Sequence, residues 1–130
     1  MTNPKPPRIK MRFEVCHRVV PYVRMTRKSK FVNPSAQRYL TSQEHIAWQV
    51  KTIMTTRGWQ MIEKTSLAVY IRQTVAGDPH YCDADNTIKA ILDAVKGIVW
   101  NDDRWVDSIT FVRVSGKQDQ FMLMVYQVED

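Results

Sequence analysis

Residues 81–108, YCDADNTIKAILDAVKGIVWNDDRWVDS, contain the pattern that decides the fold. Four apolar residues recur at helical spacing and form a stripe that would face a core: Ile88, Ile91, Leu92 and Val95. Asp85 or Asn86 is a typical N-cap for such a helix, and Gly97 is a typical terminator. The segment therefore predicts an amphipathic helix that runs to about Lys96, with acidic residues before it and after it.

The chain before this segment predicts two strands and a second helix. Residues 11–20 and 66–75 alternate between apolar and polar side chains, as half-buried strands do. Residues 43–57 have apolar side chains at helical spacing, and Thr41 or Ser42 is a suitable N-cap. We therefore expect a strand, a helix and a second strand before the acidic segment.

The remaining stretches predict a loop and two more strands. Residues 22–40 are polar and basic, which indicates a long loop of the kind that usually has a function in a compact domain. Residues 105–115 and 121–128 alternate as strands, and the turn-forming residues 116–120 lie between them. We therefore expect the last two strands to pair as a hairpin.

This order, β-α-β-α-β-β, predicts an α+β fold. A single compact domain with a small mixed or antiparallel sheet, and two main helices on one face, is the natural packing. Residues 1–10 contain three prolines and three basic side chains, so we expect a flexible basic arm there. The domain itself would then span residues 11–130.

The composition is that of a globular protein with an uneven charge distribution. The chain has 130 residues, of which 44% are hydrophobic, and a net charge of +6. Residues 1–40 have ten basic and one acidic side chain, a net +9, so the remainder has −3. A basic first third beside an acidic segment indicates a surface for a polyanion next to a cation site. No membrane partner is expected, because no apolar run is long enough to span a bilayer.

Two cysteines, Cys16 and Cys82, match no zinc spacing and are too few for a disulfide framework. We expect both to be reduced thiols, as is usual in cytosolic proteins. The N-terminal residues lack the apolar stretch of a secretory signal, so export is not expected. Together these features predict a cytoplasmic protein.

The spacing of the aspartates predicts a metal site. Asp83 and Asp85 are two residues apart, and such a pair points to one side of an extended segment. Neighbouring carboxylates repel each other unless a cation lies between them, and hard divalent cations prefer oxygen ligands. A helix of about 16 Å, a tight turn at Gly97 and about 20 Å of extended chain would return Asp102 or Asp103 to the pair. We therefore expect Mg²⁺, with Mn²⁺ as the alternative ion and no small-molecule cofactor.

Lys89 lies one helical turn from Asp85 and one from Asp93. It would either form an ion pair on the helix surface or contact a phosphate beside the metal. In a purely structural interpretation, Asp85 caps the helix and the other acids are solvated. A calcium-binding EF-hand does not fit, because the positions that need glycine and glutamate are Ile88 and Ala94.

Residues 83–106 resemble the signature of the RusA family of Holliday junction resolvases (crossover junction endodeoxyribonucleases). The family pattern is Asp-x-Asp-Asn, a lysine three residues later, Asp-Ala four further on, a glycine, and then Asp-Asp-x-x-Val. The matching residues are Asp83, Asp85, Asn86, Lys89, Asp93, Ala94, Gly97, Asp102, Asp103 and Val106. A lone Asp-x-Asp would be unspecific, but the combined pattern is specific.

The resemblance implies a Mg²⁺-dependent endonuclease that acts as a homodimer. Such an enzyme places paired, symmetric nicks in opposing strands of a four-way junction, in DNA recombination and repair. The resemblance makes Asp83, Asp85 and Asp103 the metal-binding catalytic carboxylates and Lys89 the essential basic residue. Asp102 matches an acidic position with a supporting role.

The basic segment supplies the candidate DNA contacts. Arg24, Arg27, Lys28 and Lys30 lie in the predicted loop and would bind backbone phosphates without reading the base sequence. Two other interpretations remain at this point. The protein could be a nuclease for other branched DNA, such as flaps or forks, or a catalytically silent DNA-binding module.

Overall fold

The computed structural model describes residues 8–24 and 33–128. Its four strands are β1 (Arg8–Val15), β2 (Leu67–Ala76), β3 (Val106–Gly116) and β4 (Gln120–Gln127). Its helices are α1 (Pro34–Arg57) and α2 (Ala84–Val95), and a short 3₁₀ turn (Asp103–Trp105) precedes β3. The predicted α+β class and the order β-α-β-α-β-β are confirmed.

The strands form one mixed sheet in the order β1-β4-β2-β3. β4 is antiparallel to both β1 and β2, whereas β3 is parallel to β2. Parallel neighbours need a crossover connection, and α2 supplies it as the helix of a β2-α2-β3 unit. The two ends of α2 therefore lie near opposite ends of the sheet.

The predicted hairpin of the last two strands is wrong. Ile71 of β2 pairs with Phe111 of β3 on one side and with Leu123 of β4 on the other, so β2 separates the two strands. The turn between β3 and β4 crosses the end of β2, where the Ala76 amide donates to Asp119 Oδ1 at 2.9 Å. Alternation predicts which side chains face the core, but it does not specify the neighbouring strand.

Both helices cover the same face of the sheet. The sheet residues that alternate inward are buried with residues of α1 and α2 in one core: Met11, Phe13, Val15, Leu67, Val69, Ile71, Phe121, Leu123, Val125, Ile46, Val50, Ala90, Ile91 and Val95. The other face has partly exposed side chains such as Tyr70, Met122 and Met124. The predicted one-sided packing is therefore confirmed. Helix α2 is held in place by the buried residues Ala90, Ile91, Ala94 and Val95, whereas Ile88 of the predicted stripe is only partly buried.

Helix α1 begins at Pro34, well before the predicted start near residue 43. Asn33 is the N-cap, because its side chain accepts a hydrogen bond from the Ser35 amide at 2.8 Å. Pro34 occupies the first turn, where its missing N–H is not needed. The prediction of a loop through residue 40 was wrong because Tyr39 is buried by tertiary contacts, which its polar sequence neighbours do not indicate.

The ends of the chain add two observations. β1 begins at Arg8, so residues 8–10 belong to the sheet, although we predicted residues 1–10 to be an arm; residues 1–7 lie outside the described residues. β1 also ends at Val15, five residues before the predicted end of the first strand. Within the described ranges, no helix has the length and apolar character needed to cross a membrane.

Candidate active site

The N-terminus of α2 presents the first two acidic residues of the segment. Asp83 is the N-cap, with φ −68° and ψ 142°, but its side chain makes no capping hydrogen bond. Asp85 lies in the first turn, and both side chains are exposed. The cap is thus Asp83, not Asp85 or Asn86 as predicted. Within the described part of the chain neither carboxylate forms an ion pair, so both are available to a ligand.

Polar side chains beneath the preceding loop hold it against the sheet. The Tyr81 hydroxyl donates to the Val19 carbonyl oxygen at 2.6 Å and accepts from Gln73 Nε2 at 2.9 Å. The Arg113 guanidinium donates to the carbonyl oxygen of Cys82, the residue before Asp83. Burial raises the pKa of Tyr81, which keeps its hydroxyl protonated as a donor. These bonds position the backbone that carries Asp83.

Sequence reasoning missed this network, although one signal was present. Gln73 interrupts the apolar row of β2, and it is 1% exposed in the structure. Arg113 likewise occupies a position on the core side of β3, directly across from Gln73. A polar residue at an inward strand position indicates a buried hydrogen-bond partner. The partner of Gln73 is Tyr81, eight residues further along the chain, and the sequence pattern could not identify it.

A second polar cluster lies along the flank of α2. Lys89 Nζ lies 4.6 Å from the ring centroid of Tyr22, and the ring of Tyr22 meets that of Tyr39 edge to face at 5.7 Å. The Tyr39 hydroxyl donates to Asp93 Oδ2 at 3.2 Å. Burial, followed by the negative charge of Asp93, raises the pKa of Tyr39. Asp93 is thus bound to α1, and the described residues show no ion pair between it and Lys89.

The second acidic pair has structural contacts of its own. Asp102 caps the 3₁₀ turn, because its Oδ1 accepts from the Arg104 amide at 3.0 Å. Asp103 Oδ1 accepts from the indole N–H of Trp100 at 2.6 Å. Trp100 is completely buried, so this bond satisfies a donor that water does not reach. Asp103 therefore has a structural role, because it is the hydrogen-bond acceptor for the buried Trp100 indole.

The expected return of the chain along α2 does not occur. Residues 95–100 form a compact turn, in which the Gly97 amide donates to the Trp100 carbonyl oxygen at 2.7 Å. Gly97 has φ +82°, a conformation that favours glycine. Asp103 begins the 3₁₀ turn that leads into β3, and the first residue of β3, Val106, pairs with Leu67 at the start of β2. Asp83, in contrast, follows the end of β2. Asp103 thus belongs to the C-terminal end of α2 and Asp83 to its N-terminal end.

The carboxylates consequently do not form one cluster within a chain. Among the described residues, no group of three histidine, cysteine or acidic side chains could hold a metal ion. Asp83 and Asp85 alone still suit Mg²⁺, which is often bound by one or two carboxylates together with water and substrate phosphates. The structure therefore places Asp83, Asp85 and Lys89 on the first two turns of α2 and its N-cap, and Asp103 beyond the other end of the helix.

The predicted DNA contacts are only partly described. Arg24 is exposed and follows Tyr22 by two residues, whereas Arg27, Lys28 and Lys30 lie outside the described residues. The structure adds a basic residue that the sequence did not single out. The Arg18 guanidinium stacks 4.6 Å from the ring centroid of Tyr81, beside the loop that leads to Asp83.

Comparison with known proteins identifies a family over most of the chain. The family model described as "Endodeoxyribonuclease RusA" matches residues 7–126, nearly the whole chain. The matched range includes every acidic and basic residue discussed above. No curated protein matches the chain.

Proposed function

Since this chain belongs to the RusA endodeoxyribonuclease family, we propose that it is a Mg²⁺-dependent nuclease that resolves Holliday junctions. It would do so by paired symmetric nicks, in DNA recombination and repair. One observation carries the proposal beyond the family match. The two exposed carboxylates, Asp83 and Asp85, lie at the N-terminus of a rigidly packed helix, one turn or two from Lys89, and no described residue neutralises them.

In this proposal Asp83 and Asp85 hold the ion. When bound, Mg²⁺ supplies a water of lowered pKa and neutralises charge that develops on the phosphate. Lys89 places a further positive charge at the same phosphate. The bond from Tyr81 of the loop to Val19 and the bond from Arg113 to Cys82 hold the backbone before Asp83, so the start of α2 would be in place before DNA binds.

We propose Asp103 as a third metal-binding carboxylate, which would reach the ion only when two chains assemble. A single chain does not bring it there, since Asp103 is engaged by Trp100 at the other end of α2. Asp102, which caps the 3₁₀ turn, supports the position of Asp103. Paired nicks require two active sites, so we further propose a two-fold homodimer.

The basic segment would bind the junction arms. Arg24, Arg27, Lys28 and Lys30 would contact phosphates and position the branched DNA over α2. Both segments that flank residues 25–32 contact α2: the Tyr22 amide donates to the Asn86 carbonyl oxygen at 3.1 Å, and Tyr39 binds Asp93. Affinity would then be mainly electrostatic and would fall as salt is added.

The test is cleavage of an end-labelled four-way junction, with linear duplex and a flap of the same sequence as competing substrates. We expect symmetric nicks in the junction with Mg²⁺ and none with EDTA. Asp85→Asn should abolish cleavage and retain junction binding, whereas Asp107→Asn, an exposed aspartate outside the pair, should cleave as the wild type does. Preferential cleavage of the flap would instead indicate a different branched substrate. Binding of the junction without cleavage of any substrate would contradict the enzymatic proposal.

A further inference from the structure

Tyr22 belongs to neither the acidic motif nor the proposed metal site, yet it contacts the basic residue on α2. Its ring lies 4.6 Å from Lys89 Nζ, within the range of a cation–π interaction. Its backbone amide donates to the Asn86 carbonyl oxygen at 3.1 Å, one turn before Lys89. The ring is therefore attached to the same helix as the ammonium group that it faces.

The position of the ring is determined from both sides. Tyr39, which is 3% exposed, packs edge to face against Tyr22 at 5.7 Å. Tyr39 is in turn anchored to α2 through its hydrogen bond to Asp93. Tyr22 thus lies between α1 and α2, and its aromatic face cannot easily turn away from Lys89.

We propose that Tyr22 is a positioning residue for Lys89, which it holds along the flank of α2 toward the phosphate that binds at Asp83 and Asp85. This inference rests on the proposed function, because it assigns Lys89 to that phosphate. A lysine side chain has several rotatable bonds and is otherwise disordered at an exposed site. The ring of Tyr22 restricts the positions that the ammonium group can occupy, and Tyr22 itself does not contact the phosphate.

An aromatic partner has an advantage over a carboxylate at this position. A carboxylate would neutralise the lysine and compete with the phosphate for it. A ring face attracts the ammonium group through its quadrupole but has no net charge, so the positive charge remains available to DNA. In agreement, no carboxylate among the described residues lies within ion-pairing distance of Lys89.

The activity test compares two substitutions of one residue. Tyr22→Leu removes the ring, and we expect kcat for junction cleavage to fall roughly 2- to 30-fold, the range that a cation–π contact supports, with little change in KM. Tyr22→Phe retains the ring and should restore kcat to within about twofold of the wild type. Tyr126→Leu, which removes a half-buried tyrosine from the opposite face of the sheet, controls for general loosening of the fold.

A double-substitution cycle separates positioning from simple packing. In a Lys89→Ala background, Tyr22→Leu should cause no further loss of kcat, because the group that it positions is absent. Equal losses in both backgrounds, or a Tyr22→Phe variant as slow as Tyr22→Leu, would overturn the inference. Wild-type protein that cleaves no branched DNA would instead contradict the proposed function.

A second measurement tests the contact between Tyr22 and Lys89 in the wild type itself, and it needs no cleavage activity. The ε-methylene protons of Lys89 should show an upfield ring-current shift in the NMR spectrum of the wild type and of Tyr22→Phe. The shift should disappear in Tyr22→Leu. Unshifted ε-methylene protons in the folded wild type would show that the ring does not hold Lys89, and would overturn the inference even if cleavage is observed.

Discussion

The two ends of α2 both carry aspartates, but the structure uses them differently. At the N-terminal end, Asp83 and Asp85 are exposed and make no side-chain contact that the fold requires. At the C-terminal end, Asp103 satisfies the buried indole of Trp100, and Asp102 caps a turn. Substitutions at the N-terminal end should therefore alter chemistry with little effect on stability, whereas substitutions at the C-terminal end should alter both.

The largest expected effect is that of Asp83→Asn on cleavage. Loss of one carboxylate from the proposed metal site should reduce the rate at least about a hundredfold, a typical cost of removing an electrostatic catalytic group. The melting temperature should stay close to that of the wild type, since the Asp83 side chain makes no capping bond. Cleavage assays and thermal melts would check both. A variant that cleaves normally would exclude Asp83 from the site.

Asp103→Ala tests the C-terminal end of the comparison. It leaves the buried indole N–H of Trp100 without its partner at 2.6 Å, so unfolding should become easier by about 1–3 kcal/mol. Asp103→Asn keeps an acceptor oxygen and should cost less. Denaturant titration of both variants measures the difference. Equal stability of the alanine variant and the wild type would show that the Trp100 bond contributes nothing.

Arg113→Met sharpens the comparison by loosening only the N-terminal end. The loop before Asp83 loses its bond to the Cys82 carbonyl oxygen, so we expect a stability loss of about 1 kcal/mol and a roughly tenfold slower cleavage. Hydrogen exchange should show faster exchange in the loop and no change in the turn at Gly97. Arg72→Met, on the open face of the sheet, is the matched control. Uniformly faster exchange would contradict a local effect.

The smallest expected effect is that of Tyr39→Phe, which removes one hydrogen bond to Asp93 and should cost about 0.5–1.5 kcal/mol. The pKa of Tyr39 is raised in the folded protein from its ordinary value of 10.0, so folding favours the protonated hydroxyl. This contribution is fully present below pH 10 and is lost as the pH rises further, because only the unfolded chain then ionises readily. The stability difference between wild type and variant should therefore shrink above pH 10. A constant difference through alkaline pH would contradict the assignment.

Much of the site could be predicted because its parts are local. The apolar stripe of α2 and the alternation in β2 follow from side-chain spacing within each element. Asp85 and Lys89 share one face of α2 because they are four residues apart, and Asp83 is the N-cap of the same helix. The assignment of these residues to metal and phosphate stays a prediction until cleavage is measured.

The parts that sequence reasoning missed depend on distant partners. The start of α1 was missed because Tyr39 gains its burial and its hydrogen bond from α2, 54 residues further along the chain. The contact between Tyr22 and Lys89 was missed for the same reason, since nothing in either local sequence indicates the other. The expected return of Asp102 or Asp103 to Asp83 was also wrong. That estimate assumed an extended chain over residues 98–103, whereas this segment turns and Trp100 is buried in the core.

The sequence by itself determined the fold class, the element order and the acidic motif that identifies the family, since periodicity and motif spacing are properties of short segments. Only the tertiary structure decided that β2 separates β3 from β4, and that Asp103 lies at the other end of α2 from Asp83. The physical reason is that an alternating strand can bury its apolar face beside several partners. The choice among them is made by the packing of the whole core, which includes residues far apart in the chain.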